Sequence, residues 1–341
     1  MATYPRFGAL RVTTAHRITW VCLICMCLTS SLPAQTGDDV HLVPLKPPPH
    51  KPLISADVEP RRVSNPFRVD VDLVLVPVTV TDGANRTIVG LGKHDFALYE
   101  AGEQQQIQYF SSEDSPISVG VILDLSKSMT DKIALAREAL GDFFNVANPQ
   151  DDYFVVAFSD RPKLLADATQ SIGHIRATLA SAVPTGHTAL LDAIYMGLAK
   201  TRQARYQRRA LVIISDGGDN RSRYTAAEIR KLVQETDVQI YAIGIFGTVF
   251  KTPEEWAGKR LLTHITEATG GQTITVNNAR ELPDIASAIS LELRNQYVLG
   301  YHPRNVTHDG KWRKIKVQVT SSAPDTPLHA YFKTGYQAPE R

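Results

Sequence analysis

The side chains best suited to bind a metal ion follow buried-type strands. The run "VILDLSKSM" starts with apolar, mostly β-branched residues and then places Asp124, Ser126 and Ser128 at alternate positions. A second apolar run, "ALVIISDGGDN", reaches Asp216, and the loop "PTGHT", which precedes a helical segment, ends in Thr188. A carboxylate at the end of a buried strand is costly unless it is paired. It therefore caps a helix, does chemistry or holds a cation.

These five side chains are expected to converge, because ligands of open parallel sheets bind at the carboxyl ends of the strands. Two carboxylates and three hydroxyls are hard oxygen ligands, which suit Mg²⁺, Mn²⁺ or Ca²⁺ better than zinc or copper. Two carboxylates neutralise a dication and the hydroxyls add no charge. If some contacts run through water, the metal stays electrophilic and an acidic side chain of a partner can complete its shell. The sequence therefore predicts a binding device that needs no catalytic base.

Each of these residues also has a structural alternative. Ser128 and Thr188 could cap the helices that follow them, and Asp216 before two glycines could be a turn acid. Singly, those alternatives are the better interpretation. Together, three elements that each stand at the correct end of a strand or loop favour the cation site.

The elements that must position the site alternate between strand and helix from about 116 to 296. Apolar strands are predicted at "ISVGVILDL", "DYFVVAFSD", "ALVIISD", "VQIYAIGIF" and "QTITV", with "KLLADAT" as a shorter or edge strand. Helices are predicted at "DKIALAREALGDFFNVA", "TALLDAIYMGLAKTR", "TAAEIRKLVQETD", "AGKRLLTHITEATG" and "LPDIASAISLELRNQ". The first of these helices places Ile133, Leu140 and Phe144 on one face. The alternation predicts an α/β fold with a doubly wound, mostly parallel sheet.

Strand-type alternation flanks this segment on both sides. "VDLVLVPVTVTD" and "DFALYEAGEQQQIQYFSS" precede it, and "QYVLGYHP", "WRKIKVQVT" and "LHAYFKTGY" follow it. Either flank alone buries too little surface to be stable, so we expect the two to pair into one small β-sandwich. The predicted domains are 67–114 and 297–341 for the two parts of this β domain, with the α/β domain at 115–296 between them.

The first 66 residues are predicted not to belong to the fold. Basic residues precede the apolar run "ITWVCLICMCLTSSL", and Ala34 provides a small residue for cleavage, so 1–34 is predicted to be a signal peptide, with an uncleaved anchor as the alternative. Residues 35–66 are proline-rich and predicted to be an extended linker. All three cysteines lie in the leader, so the mature chain would have no disulfide or thiolate metal site. This favours a bacterial protein that is periplasmic or secreted.

The overall composition is that of a globular protein. The chain has 341 residues, of which 43% are hydrophobic, and 37 basic side chains stand against 35 acidic ones. A net charge of +2, without a basic patch interleaved with aromatic residues, argues against a nucleic-acid partner. No small-molecule cofactor is expected, and membrane contact is expected only through an uncleaved leader.

These motifs resemble the von Willebrand factor type A (VWFA) family. "DLSKS", the threonine of "PTGHT" and the "SDG" after an apolar strand are similar to the three parts of that family's metal-ion-dependent adhesion site. The flanks resemble those of exported VWFA-related proteins of Acidobacteria. The resemblance implies that Asp124, Ser126 and Ser128 are first-loop ligands, Thr188 a second-loop ligand and Asp216 the third-loop carboxylate. It implies Mg²⁺ as the cation, with Mn²⁺ or Ca²⁺ as alternatives.

Three further residues are predicted at the rim of the ligand site: Lys127, His187 and Asp219. The family commonly has glycine where Lys127 stands between the two serines. Lys127 could weaken the metal site or pair with an acidic partner, but a solvent-facing lysine is the simpler interpretation. His187 could respond to pH, but an ordinary loop histidine is favoured.

The favoured function is a divalent-cation-dependent protein-binding or adhesion module in the cell envelope or extracellular space, whose ligand presents an Asp or Glu. An enzyme is disfavoured, because aspartyl-phosphate enzymes typically have a second acid where Ser126 stands and the chain has no G-x-S-x-G elbow. A third alternative is a structural protein that assembles without metal by adding strands at "VDLVLVPVTV" and "RKIKVQV". The proline and lysines there are typical of edge protection instead.

Overall fold

The computed structural model describes residues 73–245, 253–276, 278–320 and 327–340. The predicted signal peptide, the proline-rich linker and the three cysteines lie outside these ranges. Among the described residues, none of the helices could span a membrane.

The described residues form fourteen β-strands and six α-helices. The strands are β1 (Val74–Thr81), β2 (Phe96–Glu100), β3 (Glu103–Gln105), β4 (Tyr109–Ser111), β5 (Ser118–Asp124), β6 (Asp152–Phe158), β7 (Pro162–Thr169), β8 (Arg209–Ser215), β9 (Gln239–Ile245), β10 (Thr273–Val276), β11 (Tyr297–Tyr301), β12 (Trp312–Val319), β13 (His329–Phe332) and β14 (Gly335–Gln337). The helices are α1 (Ile133–Val146), α2 (Ile172–Ala180), α3 (Leu190–Thr201), α4 (Ala226–Gln234), α5 (Pro253–Thr269) and α6 (Leu282–Arg294).

A six-stranded sheet in the order β10-β9-β8-β5-β6-β7 forms the α/β part of the fold. Every neighbouring pair is parallel except β6 and β7, which are antiparallel. On the central strand β5, Val121 and Leu123 pack on one face of the sheet with α1, α2 and α6. Ile122 packs on the other face with α3, α4 and α5. Because both faces are covered, the strands are continuous apolar runs, and the predicted doubly wound α/β fold is confirmed.

The helices follow the predicted apolar periods, with one addition. Ile133, Leu140 and Phe144 are all buried on α1, as predicted. The helix α2 is not among the predicted helices. Its start is capped by Ser171, whose hydroxyl accepts a hydrogen bond from the backbone N–H of His174, as is common at helix N-termini.

Two four-stranded antiparallel sheets complete the fold and combine strands from both flanks. One has the order β13-β1-β11-β4 and the other β14-β12-β2-β3. Their inward-facing residues share one buried cluster, to which β1 contributes Val76 and Val78, β2 contributes Leu98, and β12 contributes Ile315 and Val317. The predicted small β-sandwich of N- and C-terminal strands is therefore confirmed.

The two segments considered as exposed strand edges lie inside their sheets, so that prediction is wrong. β1 lies between β13 and β11, and β12 lies between β14 and β2. On β12, Lys314 and Lys316 are exposed while Ile315 and Val317 are buried. Side-chain alternation shows which face of a sheet is exposed to solvent. It does not show whether a strand has a neighbouring strand on each side.

Candidate metal site

The predicted carboxylates lie at one edge of the central sheet. Asp124 is the last residue of β5, and Asp216 directly follows β8. Because β5 and β8 are neighbouring parallel strands, they end at the same edge, where ligands of such sheets bind. Asp124, Asp216, Ser126 and Thr188 are buried, whereas Ser128 is exposed. The site therefore opens to solvent beside Ser128.

Asp124 is held in place by two hydrogen bonds. The backbone N–H of Ser126 donates to its Oδ1 at 2.8 Å, and the hydroxyl of Ser215 donates to its Oδ2 at 2.6 Å. Burial and the negative charge of Asp216 raise the pKa of Asp124 to about 6, against the effect of these hydrogen bonds. The charge of Asp216 thus makes ionisation of Asp124 less favourable. A bound cation would make it more favourable.

The first two loops of the site are joined through their backbones. The N–H of Lys127 donates to the carbonyl of Gly186 at 3.2 Å, and the N–H of Thr185 donates to the carbonyl of Leu125 at 2.7 Å. Gly186 has a φ of +75°, and a Cβ there would lie 2.5 Å from the carboxylate of Asp160. Only glycine fits this position without strain, so the close approach of the two loops depends on it.

The second loop is joined to the third in the same way. The backbone N–H of Thr188 donates to Asn220 Oδ1 at 3.1 Å. The Thr188 carbonyl accepts from the N–H groups of Asn220 at 3.0 Å and Arg221 at 3.1 Å. Asp219 accepts the N–H of Leu190, the first residue of α3, at 2.9 Å. All three predicted loops therefore meet at this edge of the sheet.

The hydroxyls of Ser126 and Ser128 lie 3.0 Å apart. The helix caps considered for Ser128 and Thr188 are not formed, because α1 and α3 have Lys132 and Ala189 at their N-cap positions and neither helix has a side-chain cap hydrogen bond. The paired serine oxygens are thus free of a capping role and lie next to the Asp124 strand end.

The predicted rim residues differ in their solvent exposure. Lys127 and His187 are exposed, and the backbone N–H of His187 donates to Asp160 Oδ1 at 3.0 Å. Asp219 is half-buried, and its Oδ1 also accepts the hydroxyl of Ser222 at 2.6 Å. Burial raises the pKa of Asp219. Contact of all three with a ligand stays a prediction.

Three residues of the site were not predicted from the sequence. Ser215 binds Asp124, Asn220 binds Thr188, and the Nζ of Lys132 lies 3.2 Å from Asp216 Oδ2. Each contact joins residues about 30 to 90 positions apart. Ser215 is the serine of the "SDG" motif, whereas no motif in the sequence predicts a site role for Asn220 or Lys132.

The donor chemistry of this edge fits a hard divalent cation. No cluster of three or more His, Cys, Asp or Glu that could hold a metal occurs within the described ranges. A cation here would depend on two carboxylates and on serine and threonine hydroxyls, which are ligands of Mg²⁺, Mn²⁺ or Ca²⁺. The attraction of the Lys132 ammonium to Asp216 shows that this edge already draws a positive charge. The ligand role of each of the five predicted residues stays a prediction.

A family model described as the von Willebrand factor type A domain matches residues 119–218. This segment runs from β5 to the loop after β8 and includes all three loops of the site. The chain contains a von Willebrand factor type A domain. Proteins with this domain are mostly non-catalytic interaction modules. No curated protein matches the chain.

Several solved structures have a distantly similar fold. The conserved hypothetical protein BatB from Bacteroides thetaiotaomicron is 17% identical, and the match covers 52% of this chain and 98% of that chain, with a TM-score of 0.42. A von Willebrand factor type A protein from Catenulispora acidiphila is 12% identical over 78% of this chain and 74% of that chain, with a TM-score of 0.46. The PilB minor pilin from Streptococcus sanguinis is 15% identical over 57% and 64%, with a TM-score of 0.45.

Proposed function

We propose that this VWFA domain is a divalent-cation-dependent protein-binding or adhesion module, in which an acidic residue of the ligand completes the metal shell. The observation that carries the proposal is the pair of hydroxyls on Ser126 and Ser128, 3.0 Å apart, beside the buried carboxylate of Asp124. The proposed cation is Mg²⁺, with Mn²⁺ or Ca²⁺ as alternatives.

Some residues of the site would bind the cation, and the exposed side of the site would let a ligand approach. Ser126, Ser128 and Thr188 would bind the cation through their hydroxyls, while Asp124 and Asp216 would supply negative charge. When bound, the cation supplies a positive centre that accepts a carboxylate. Asp124 keeps its orientation through its hydrogen bonds to Ser126 and Ser215. Because Ser128 is exposed, a ligand can approach on that side.

We propose no catalytic role for this site. The position two residues after Asp124, where an aspartyl-phosphate enzyme typically has its second acid, is Ser126. The alternative of assembly through β1 and β12 is disfavoured, because each of these strands has a neighbouring strand on either side in the order of its sheet.

We also propose that the protein is exported by a bacterium and acts in the cell envelope, the periplasm or outside the cell. Support comes from the basic and apolar pattern of residues 1–34, followed by a small residue before a possible cleavage point. The absence of cysteine after Cys27 also fits a bacterial exported protein that needs no disulfide.

The proposed function is tested by capture of a ligand from a cell-envelope extract on the immobilised protein. We expect a protein to be retained in Mg²⁺ and released by EDTA, and we expect a Ser126→Ala, Ser128→Ala double variant not to retain it. Retention that resists EDTA and is equal for both proteins would contradict the cation-dependent mechanism. It would point to a binding surface elsewhere on the molecule.

A further inference from the structure

Lys132 places a positive charge inside the candidate metal site. Its Nζ lies 3.2 Å from Asp216 Oδ2, and the two side chains are only 27% and 9% exposed. The pair is thus largely shielded from water, so the attraction is weakened less by solvent and salt than it would be between surface charges. An entering cation would meet this ammonium at one of the two carboxylates that should attract it.

The position of Lys132 on its helix is a second, independent observation. Lys132 is the N-cap residue of α1 and forms no side-chain cap hydrogen bond. Helix N-termini favour serine, threonine or acidic residues and disfavour cations, because the N–H groups there carry partial positive charge. The charge of Lys132 therefore does not stabilise its own helix. It is stabilising in the contact with the Asp216 carboxylate.

Charge counting shows what this lysine does to the site. Without metal, the carboxylates of Asp124 and Asp216 together with the ammonium of Lys132 have a net charge of minus one when all are ionised. A bound dication changes that net charge to plus one. Without Lys132 the loaded site would be neutral. The lysine therefore makes metal entry less favourable and leaves the loaded site attractive to an anion.

We propose that Lys132 is a built-in counter-ion that competes with the cation for Asp216 and couples cation binding to binding of an acidic ligand. This inference rests on the proposed function and adds a residue that regulates it. A ligand carboxylate cancels the excess positive charge, so the ligand raises the affinity for the cation. By linkage, the cation raises the affinity for the ligand by the same factor. Such a site holds metal firmly only when its partner is present.

The test is calorimetric titration of the whole protein with Mn²⁺ alone. Lys132→Met removes the charge and keeps the aliphatic stem, and we expect it to bind Mn²⁺ on the order of tenfold more tightly than wild type, because a nearby positive charge has been removed. Lys132→Arg keeps the charge and should bind Mn²⁺ like wild type. Lys231→Met, at an exposed position of α4, is the matched control and should also bind like wild type.

A second titration, in saturating acetate, tests the coupling. We expect acetate to raise the Mn²⁺ affinity of wild type more than that of Lys132→Met, after correction for acetate bound to free Mn²⁺. If Lys132→Met does not fold, which its thermal melt shows, Lys132→Gln replaces it in both titrations.

The outcomes separate this inference from the proposed function. If wild type binds Mn²⁺ and Lys132→Met binds it no more tightly, the counter-ion role alone is overturned. An equal effect of acetate on both proteins would overturn the coupling. Absence of Mn²⁺ binding in every variant would overturn both the inference and the proposed function.

Discussion

Glu292 on α6 is a buried carboxyl group, 2% exposed, and its replacement by glutamine should change how stability depends on pH. Gln272 Nε2 donates to its Oε2 at 3.3 Å. Burial raises the pKa of Glu292 to about 7, and a hydrogen bond with Tyr241 partly opposes this. The Tyr241 hydroxyl in turn lies 3.5 Å from Thr79 Oγ1 on β1. The group therefore lies near the junction of the α/β fold and the sandwich.

The sign of the effect follows from the raised pKa of Glu292. Between its ordinary value of 4.5 and about 7, the folded protein holds a proton that the unfolded chain releases. The resulting stabilisation is fully present below pH 4.5 and is lost as the pH rises through about 7. One pKa unit corresponds to about 1.4 kcal/mol, so wild type should lose about 3 kcal/mol of unfolding free energy from this group over that window.

Urea unfolding at several pH values measures this effect. Glu292→Gln cannot ionise, so its unfolding free energy relative to wild type should rise by about 3 kcal/mol from pH 4.5 to a pH above 7. Glu138→Gln, at an exposed position of α1, is the matched control and should follow the wild-type pH profile. A difference between Glu292→Gln and wild type that stays constant across this pH range would refute the assignment of a raised pKa to Glu292.

Two further predictions concern the loops and strands that build the site. Gly186→Ala should lower the unfolding free energy by roughly 1–3 kcal/mol, because φ is positive there and the new Cβ would meet the Asp160 carboxylate. Gly173→Ala is its control, because the new Cβ meets no atom within 4 Å, and it should not destabilise the protein in the same urea titration. Ser215→Ala should cost about 1–3 kcal/mol in that titration, because it removes the hydroxyl that donates to the buried Asp124; unchanged stability would show that this hydrogen bond contributes little.

The central sheet could be predicted from the sequence because its strands and helices have strong, long patterns. The run ending at Asp124 is apolar throughout, and α1 shows its buried face in Ile133 and Leu140. The helix α2 was missed because it is short and buries mainly Ile175 and Leu179. A pattern of two apolar residues is too weak to separate a short helix from a loop.

The site could be predicted only in part. Motif residues at strand ends indicated which side chains would converge, because parallel strands end at a common edge. The contacts of Ser215, Asn220 and Lys132 depend on which loops pack together, and no local pattern encodes that. The places of β1 and β12 inside their sheets were missed for the same reason, since strand order depends on strands that are distant in the sequence.

The proposed cation site depends on oxygen atoms from three loops at the edge of the β5–β8 pair. Calorimetric titration with Mg²⁺, Mn²⁺ and Ca²⁺ tests it most directly, with wild type beside a Ser126→Ala, Ser128→Ala variant. A Ser111→Ala, Ser112→Ala variant, at the last residue of β4 and the residue after it, controls for loss of two hydroxyls. We expect wild type and the control to bind one cation per chain and the site variant to bind at least about tenfold more weakly. Equal binding by all three proteins, or binding by none, would contradict the claim.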